Sequence, residues 1–380
     1  MRHTPLLAKL IVNLFWPPNL THSDFQGKRR LMSTDKIRIG VIGAGGNTTK
    51  LHIPGLLAQN GVEILSVANR TLASGQRVAK EFGIPRVEAD WQAIIEDQAL
   101  DAVCIGTWPY MHAPMTIAAL DAGKHVLCEA RMAMNAQQGR SMLDASRRHP
   151  ALVAQIVPAP HTLAFDKTIV GMIGAGDIGE MITLDARVVM ASYPKPDSPI
   201  SWRQDRDLSG NNIMSMGIWY EAMMRWVGPM STVFAVWQAV VPHRVDEAGR
   251  RVAMTIPDHL DIVGKLEQGG QVRFNVSTVL GNAPARTDVC IFGTEGTLRL
   301  LQVGDGSLTL YSGSRGVEGL KVVEIDPAKK GGWRVEEEFI NAIRGVEAVT
   351  HTDFTTAVKY MEWSDAVTRS LRSGISVSVI

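Results

Sequence analysis

From Lys36 the chain alternates short β-branched runs with segments of helical period. Ile37, Ile39, Val41 and Ile42 form an apolar run that stops at Gly43-Ala44-Gly45-Gly46-Asn47-Thr48, so a buried strand is predicted to run into a glycine turn. Leu51, Ile53, Leu56 and Leu57 come next at helical spacing, with Pro54 near the helix start, where a missing amide is tolerated. The same pattern predicts a strand over Val62, Ile64, Leu65 and Val67, helices around 72–82 and 91–96, and a strand over 102–105. A helix over 114–122, a strand over 125–128 and a helix over 136–147 complete the half. Repeated strand and helix alternation points to an α/β doubly wound parallel sheet, which gathers ligands at the carboxyl ends of its strands. Those ends carry Gly43, Asn69, Thr107 and Glu129.

After Gly179 the period changes to two. Strands are predicted over 181–189, 232–241, 259–266, 271–279, 287–292 and 297–301, several alternating apolar and polar residues as a half-exposed antiparallel sheet does. Gly269-Gly270 reads as a hairpin turn, and helices are expected over 336–343 and 357–371. Residues 1–31 differ from the rest of the chain: an apolar patch from Leu6 to Trp16 is interrupted by Lys9 and Asn13 and ended by Pro17-Pro18. It is too short to span a bilayer and lacks the clean apolar centre of a secretory signal. The expected division is an extension over 1–31, a nucleotide-binding domain over 32–153, and a substrate and dimerisation domain over 154–380.

Charge narrows the chemistry. Among 380 residues, 39 lysines and arginines face 38 acidic residues, a balance that offers no footprint for nucleic acid or an anionic membrane and leaves a small-molecule substrate as the expected partner. Cys104, Cys128 and Cys290 are too far apart in sequence to suggest a zinc site or redox pair, so no metal is expected and a cytoplasmic setting fits. Gly43 permits the tight turn, and Gly45 and Gly46, with Asn47 and Thr48, let backbone amides approach a pyrophosphate at a helix N-terminus. Thr48 stands where the usual fingerprint has its third glycine. About 20 residues on, where an NAD site usually has a carboxylate, stand Asn69, Arg70 and Thr71. A guanidinium and a hydroxyl suit a 2′-phosphate, which favours NADP over NAD; Arg70 stacking on adenine is the competing reading.

The stretches Ala122-Gly123-Lys124-His125-Val126-Leu127-Cys128-Glu129, Gly176-Asp177-Ile178-Gly179-Glu180 and Phe292-Gly293-Thr294-Glu295-Gly296-Thr297-Leu298 together resemble the Gfo/Idh/MocA family, which includes glucose-fructose oxidoreductase and inositol dehydrogenase, over residues 36 to 376. The resemblance implies an N-terminal Rossmann domain and a C-terminal α/β domain with an open, mainly antiparallel sheet that often mediates dimerisation, so a homodimer or homotetramer is expected. It also implies hydride transfer between a sugar or cyclitol carbon and a nicotinamide. It places Glu129 beside the nicotinamide ribose and Thr107, His112, Trp202 and Arg203 near the cofactor.

The chain departs from the family where the proton is handled. Relatives usually carry Glu-Lys-Pro where this chain has Glu129-Ala130-Arg131, and by the family's register its histidine and aspartate fall on Trp219 and Ala222. Oxidising an alcohol releases a proton as well as a hydride, so a titratable group must stand within reach. Arg131, which stays protonated, can stabilise an alkoxide or orient a substrate but cannot act as a base. Tyr220, Glu221 and His161 are the candidates for the proton, each with an ordinary structural reading beside it. The leading expectation is an NAD(P)-dependent oxidoreductase of a sugar, polyol or related carbonyl compound. The alternatives are a redox-neutral NAD-dependent glycosidase, lyase or epimerase, and a nucleotide-binding protein without catalysis.

Overall fold

A computed structural model describes residues 36–190 and 192–379. The extension expected over 1–31 lies outside the described residues.

Strand β1 (Ile37–Ile42) enters the glycine turn and then helix α1, which opens as one π-helical turn, Thr48–His52, and continues over Ile53–Leu57. Next come β2 (Val62–Ala68), α2 (Leu72–Phe82), β3 (Arg86–Glu88), α3 (Trp91–Glu96), β4 (Ala102–Ile105), α4 (Pro109–Asp121), β5 (His125–Cys128), α5 (Ala136–Arg148) and β6 (Ala154–Ile156). The strands pair in parallel in the order β3-β2-β1-β4-β5-β6. The chain therefore reverses its direction of travel between β1 and β4, and a doubly wound sheet opens its ligand crevice at that point. Helix α4 begins at Pro109 rather than 114. A proline at the first helical position lacks only an amide that has no partner there, and Pro114, inside the helix, leaves the Tyr110 carbonyl without its amide donor.

The second half supplies α6 (Asp166–Ala175), β7 (Met181–Val189), a 3₁₀ turn over Trp202–Gln204, α7 (Arg206–Ser209) and α8 (Met216–Val227). Strands β8 (Met230–Gln238), β9 (His243–Val245), β10 (Arg251–Ala253), β11 (His259–Leu266), β12 (Gln271–Ser277), β13 (Thr287–Gly293), β14 (Gly296–Gln302), β15 (Thr309–Ser314) and β16 (Lys321–Val322) come after it. Helices α9 (Val335–Ile343) and α10 (Phe354–Ser373) and strand β17 (Val377–Ser378) end the described chain. Nine strands form one open sheet, β16-β15-β14-β13-β7-β12-β11-β8-β17, in which only β7 and β12 pair in parallel. This is the parallel sheet plus open, mainly antiparallel sheet that the patterning predicts.

The packing across residue 153 is continuous. Strand β6 pairs with β5 inside the first sheet, and Val335, Phe339, Ile340 and Ile343 of α9 join the core of Ile37, Ile39 and Ile53. The late helix thus closes the first domain, because its apolar face has a partner only there. Helix α10 packs on both α5 and β8 and buries Tyr360, Met361 and Trp363, fastening the two halves together. No helix among the described residues is long and apolar enough to cross a membrane.

Candidate active site

The glycine turn stands at the reversal point. Gly43 has φ +80, and a Cβ there would lie 2.6 Å from the Thr107 side chain and 2.8 Å from its backbone nitrogen, so only glycine suits both the turn and the approach. Asn69 at the end of β2 braces the turn by accepting from the Ala44 amide at 2.7 Å and donating to Ser74 at 2.9 Å. A Cβ on Gly46 would meet nothing within 4 Å, so the crest of the turn is open; the Ala44, Gly45 and Thr49 amides are taken by Asn69, Gly43 and Gly45, which leaves those of Gly46, Asn47 and Thr48, at the helix start, without a preceding turn to accept them. This open crest with free amides fits a dinucleotide pyrophosphate.

Several residues expected at the cofactor do other work. Thr48 is buried, with its hydroxyl donating to the Gly43 carbonyl at 3.3 Å. A Cβ on Gly106 would fall 2.0 Å from that hydroxyl, so the glycine missing at 48 is supplied across the gap by Gly106, and Thr48 is packing rather than a ligand contact. Thr71 caps α2, accepting from the Ser74 amide at 3.3 Å. His112 is fully buried, its ring nitrogens 2.8 Å from the Arg131 carbonyl and 2.9 Å from the Thr107 carbonyl. Burial holds its pKa below 6.5 against those backbone contacts; it braces two loops and touches no open cleft.

Glu129 ends β5 as expected, within a cluster that spacing does not reveal. Its carboxylate accepts from the Ala130 amide at 3.0 Å and from the Asn47 side chain, and lies 3.0 Å from the His52 imidazole. The other nitrogen of His52 lies 2.6 Å from Glu336 of α9, whose second oxygen accepts from Trp333 at 2.9 Å. Burial alone would lower the His52 pKa, but hydrogen bonds to Glu129 and Glu336 raise it to about 9. The imidazolium in turn holds the Glu129 carboxyl below its ordinary range despite desolvation. Glu129 is therefore an anion at neutral pH, fixed in place.

Arg131, two residues beyond, is 4% exposed and donates from its side chain to no acceptor among the described residues. Burial first and Arg203 second lower its pKa to about 10, which leaves it protonated at neutral pH. Trp202 and Arg203 reach the same edge: Trp202 stacks on Trp108 with centroids 5.8 Å apart, Arg203 lies 4.2 Å over Trp202, and Arg70 lies 5.5 Å over Trp108. A ladder of two rings and two guanidiniums thus joins the end of β2, the end of β4 and the loop before α7.

Two of the proton candidates are corrected. Tyr220 is buried in the second domain, stacked on Trp363 at 4.0 Å, with its hydroxyl accepting from the Met230 amide at 2.8 Å. Burial raises its pKa far above the ordinary phenol value, so it neither faces the cleft nor ionises. Glu221 is also buried, accepting from the Ala159 amide at 3.2 Å, from Arg225 at 3.1 Å and from the Thr352 hydroxyl. Desolvation raises its pKa in spite of Arg225; every contact is structural, and the role expected of it as a base falls.

What Glu221 does is clamp the segment that carries His161. Arg225 donates to the Ala159 carbonyl at 3.0 Å and to Thr162 at 3.1 Å, so both sides of His161 are held. The His161 imidazole lies flat on Trp219, centroids 5.1 Å apart and planes 13° apart. One face of the ring is covered by that indole, the residue is otherwise exposed, and the resulting desolvation lowers its pKa below 6.5. A neutral imidazole therefore stands against the residue on which the family's histidine falls. His52, Glu336 and Trp108 are site residues that the sequence pattern does not single out. No group of three or more His, Cys, Asp or Glu among the described residues is placed to hold a metal.

A glycine turn at the reversal point of a parallel sheet, a fixed carboxylate at the end of β5 and loops from a second domain at the same edge define a two-domain nicotinamide-linked oxidoreductase. Residues 37–156 match the sequence model of the oxidoreductase family with an NAD-binding Rossmann fold, and residues 167–299 match the GFO/IDH/MocA C-terminal domain. The chain belongs to the Gfo/Idh/MocA family. It is similar to 1,5-anhydro-D-fructose reductase of Ensifer adhaerens, 28% identical over 309 residues, which cover 77% of this chain and 84% of that protein. Levoglucosan dehydrogenase of Pseudarthrobacter phenanthrenivorans is 29% identical over 191 residues, 49% of this chain and 48% of its own length. A solved structure of levoglucosan dehydrogenase in complex with NADH and L-sorbose shares the fold with a TM-score of 0.76 at 21% identity, covering 91% of this chain and 99% of that one.

Proposed function

We propose that this chain oxidises a hydroxyl of a sugar, polyol or related compound, or reduces the matching carbonyl, with NAD(P) as hydride partner and His161 as proton partner. The bound dinucleotide supplies the hydride acceptor. In the oxidative direction the carbon gives up its C–H electron pair as hydride, the hydroxyl proton passes to His161, and a carbonyl and an imidazolium remain. Glu129, with His52 and Asn47 behind it, positions the cofactor side of the cleft, and Arg131 adds fixed positive charge to the substrate side without taking the proton.

The observation that carries this reading is the neutral imidazole of His161 stacked on Trp219. The names of the relatives, a levoglucosan dehydrogenase and an anhydrofructose reductase, support a sugar-like substrate. The absence of a carboxylate at Asn69-Arg70-Thr71, where Arg70 carries the charge, supports NADP ahead of NAD. Assembly as a homodimer or homotetramer belongs to the same proposal, and the outer face of the nine-stranded sheet carries Phe234, Val236 and Val263 on adjacent strands for it.

The test is nicotinamide reduction with a panel of sugars, polyols and sugar acids, run with NAD and NADP, on the native chain and His161→Gln. The variant is expected to lose on the order of 100- to 10,000-fold in kcat, the usual contribution of a positioned base, while NADH binding by fluorescence is retained. Because the His161 pKa is lowered, the oxidative rate should be level near neutrality and fall only as pH drops below about 6.5. Full activity of His161→Gln would overturn the assignment.

A further inference from the structure

We propose that the cleft recognises an anionic sugar, an aldonate or uronate, through its carboxylate, with Arg131 as the principal ligand and Arg203 beside it. The inference rests on the oxidoreductase reading for the reaction, and it names the substrate class for that same site.

Arg131 is the starting point because a buried guanidinium without an acceptor is costly: the hydration it loses must be replaced by an anion or by hydrogen bonds. Its Nε has no partner, and none of its side-chain nitrogens donates to an acceptor among the described residues. The nearby carboxylate of Glu129 is already committed to His52, Asn47 and the Ala130 amide. An anionic ligand in the cleft would supply the acceptor that this guanidinium lacks among the described residues.

The surroundings are built to keep that side chain where it is. Its carbonyl lies against His112 at 2.8 Å, and the next amide, that of Met132, donates to the Tyr360 hydroxyl at 2.7 Å, so buried side chains from two elements fix the backbone on both sides. Arg131 Cδ is 2.9 Å from where a Cβ on Gly217 would be; only glycine lets the aliphatic stem lie along the first turn of α8. That turn presents the positive end of a 12-residue helix to the same space. A second guanidinium is delivered by the loop that docks on the residues just after Arg131. Asn211 donates its amide to the Met134 carbonyl at 2.8 Å, and Asn212 donates from its side chain to the Ala133 carbonyl at 2.8 Å. Arg203 on that loop lies 4.2 Å over Trp202, which stacks on Trp108 at the end of β4, and its charge adds to burial in lowering the Arg131 pKa.

Arg131 and Arg203 share only the Glu129 carboxylate, which His52 already holds, and neither makes an ion pair among the described residues; this is a poor arrangement for a neutral polyol and a good one for a further anion. The guanidinium fork matches a carboxylate in two parallel hydrogen bonds. Ala130 offers no ammonium at the position where relatives have lysine, so the positive charge of this site has moved one residue along and deeper into the wall.

The experiment is calorimetric binding of D-gluconate, D-glucuronate, D-glucose, myo-inositol and D-glucose 6-phosphate to the full chain with NADH present, at neutral pH. The carboxylates are expected to bind roughly 10- to 100-fold more tightly than the neutral compounds, the usual worth of a desolvated charged hydrogen bond. Arg131→Met should erase that preference. Should that variant not fold, Arg203→Met, whose side chain is less buried, should reduce the preference severalfold. Equal or tighter binding of glucose or inositol overturns the inference, as does a carboxylate preference that survives in a folded Arg131→Met. Tighter binding of the phosphate than of either carboxylate overturns the carboxylate assignment. These outcomes are read without turnover. A carboxylate preference with no nicotinamide reduction by any of the sugars would count against the oxidoreductase reading and leave the carboxylate-binding assignment of Arg131 standing.

Discussion

The His52 imidazole, between Glu129 at 3.0 Å and Glu336 at 2.6 Å, holds a proton that an ordinary histidine would have released at neutral pH. Its folded value of about 9 against 6.5 means that the folded chain binds this proton more tightly than the unfolded chain. The stabilisation is therefore present in full below about pH 6.5 and is lost as pH rises through about 9, and its size is on the order of 3 kcal/mol. Denaturant unfolding of the native chain and His52→Gln should show a gap that is widest at the acid end and closes above about pH 9. A gap independent of pH would show that His52 acts by shape alone. Glu129 was legible from its place at a strand end, but its partners were not. His52 and Glu336 are 284 residues apart, and no local period marks either as a contact of the other. Arg131 shows the complementary limit: the sequence places it beside the cofactor edge, whereas its lack of an acceptor is a property of the whole surrounding shell.

At the level of elements, the strand and helix periods gave the right sheets because apolar alternation is enforced wherever one face is buried. Short or polar pieces such as β9, β10 and β16 carry too few buried residues to leave that signature. Helix α8 shows why the same reading misassigned roles within an element. Tyr220, Glu221 and Trp219 are consecutive, and a helix turns consecutive residues about 100° apart, so at most one of them can face a given cleft. Trp219 carries His161, while Tyr220 enters the second domain's core and Glu221 reaches the 159–162 segment. Replacing that carboxylate by an amide leaves Arg225 with Asp166 as its ion-pair partner and leaves the Ala159 amide and the Thr352 hydroxyl with one neutral acceptor oxygen between them. Glu221→Gln is expected to cost about 3 kcal/mol of stability, typical of breaking a buried pair, with a fall in kcat that tracks the loosening of His161. The acid limb of the pH profile should keep the position set by His161. A shift of that limb would mean that Glu221 itself carries the proton, and unchanged thermal stability would remove the clamp.

For the whole molecule, the question is how two domains make one cleft. The loop before α7 stacks on the first domain through Trp202 and Trp108. Asp365 of α10 accepts from the Ala136 amide at 3.0 Å and from Asn211 at 2.8 Å, and Tyr360 of the same helix accepts from the Met132 amide, 228 residues away in sequence, at 2.7 Å. One late helix thus fixes the segment from 131 to 136, which carries the substrate-side guanidinium, to the sheet of the other domain. Tyr360→Phe removes one oxygen and leaves a buried amide unpaired, a loss of about 1–3 kcal/mol, which should lower the melting temperature by several degrees. The functional effect should divide by location. The glycine turn and Glu129 lie on the first domain and keep their own braces, so NADH affinity should hardly change. Arg131 loses the restraint on its following amide, so the KM for the sugar should rise more than kcat falls. A variant that lost NADH and sugar affinity equally would show that α10 supports the whole first domain and not this one segment.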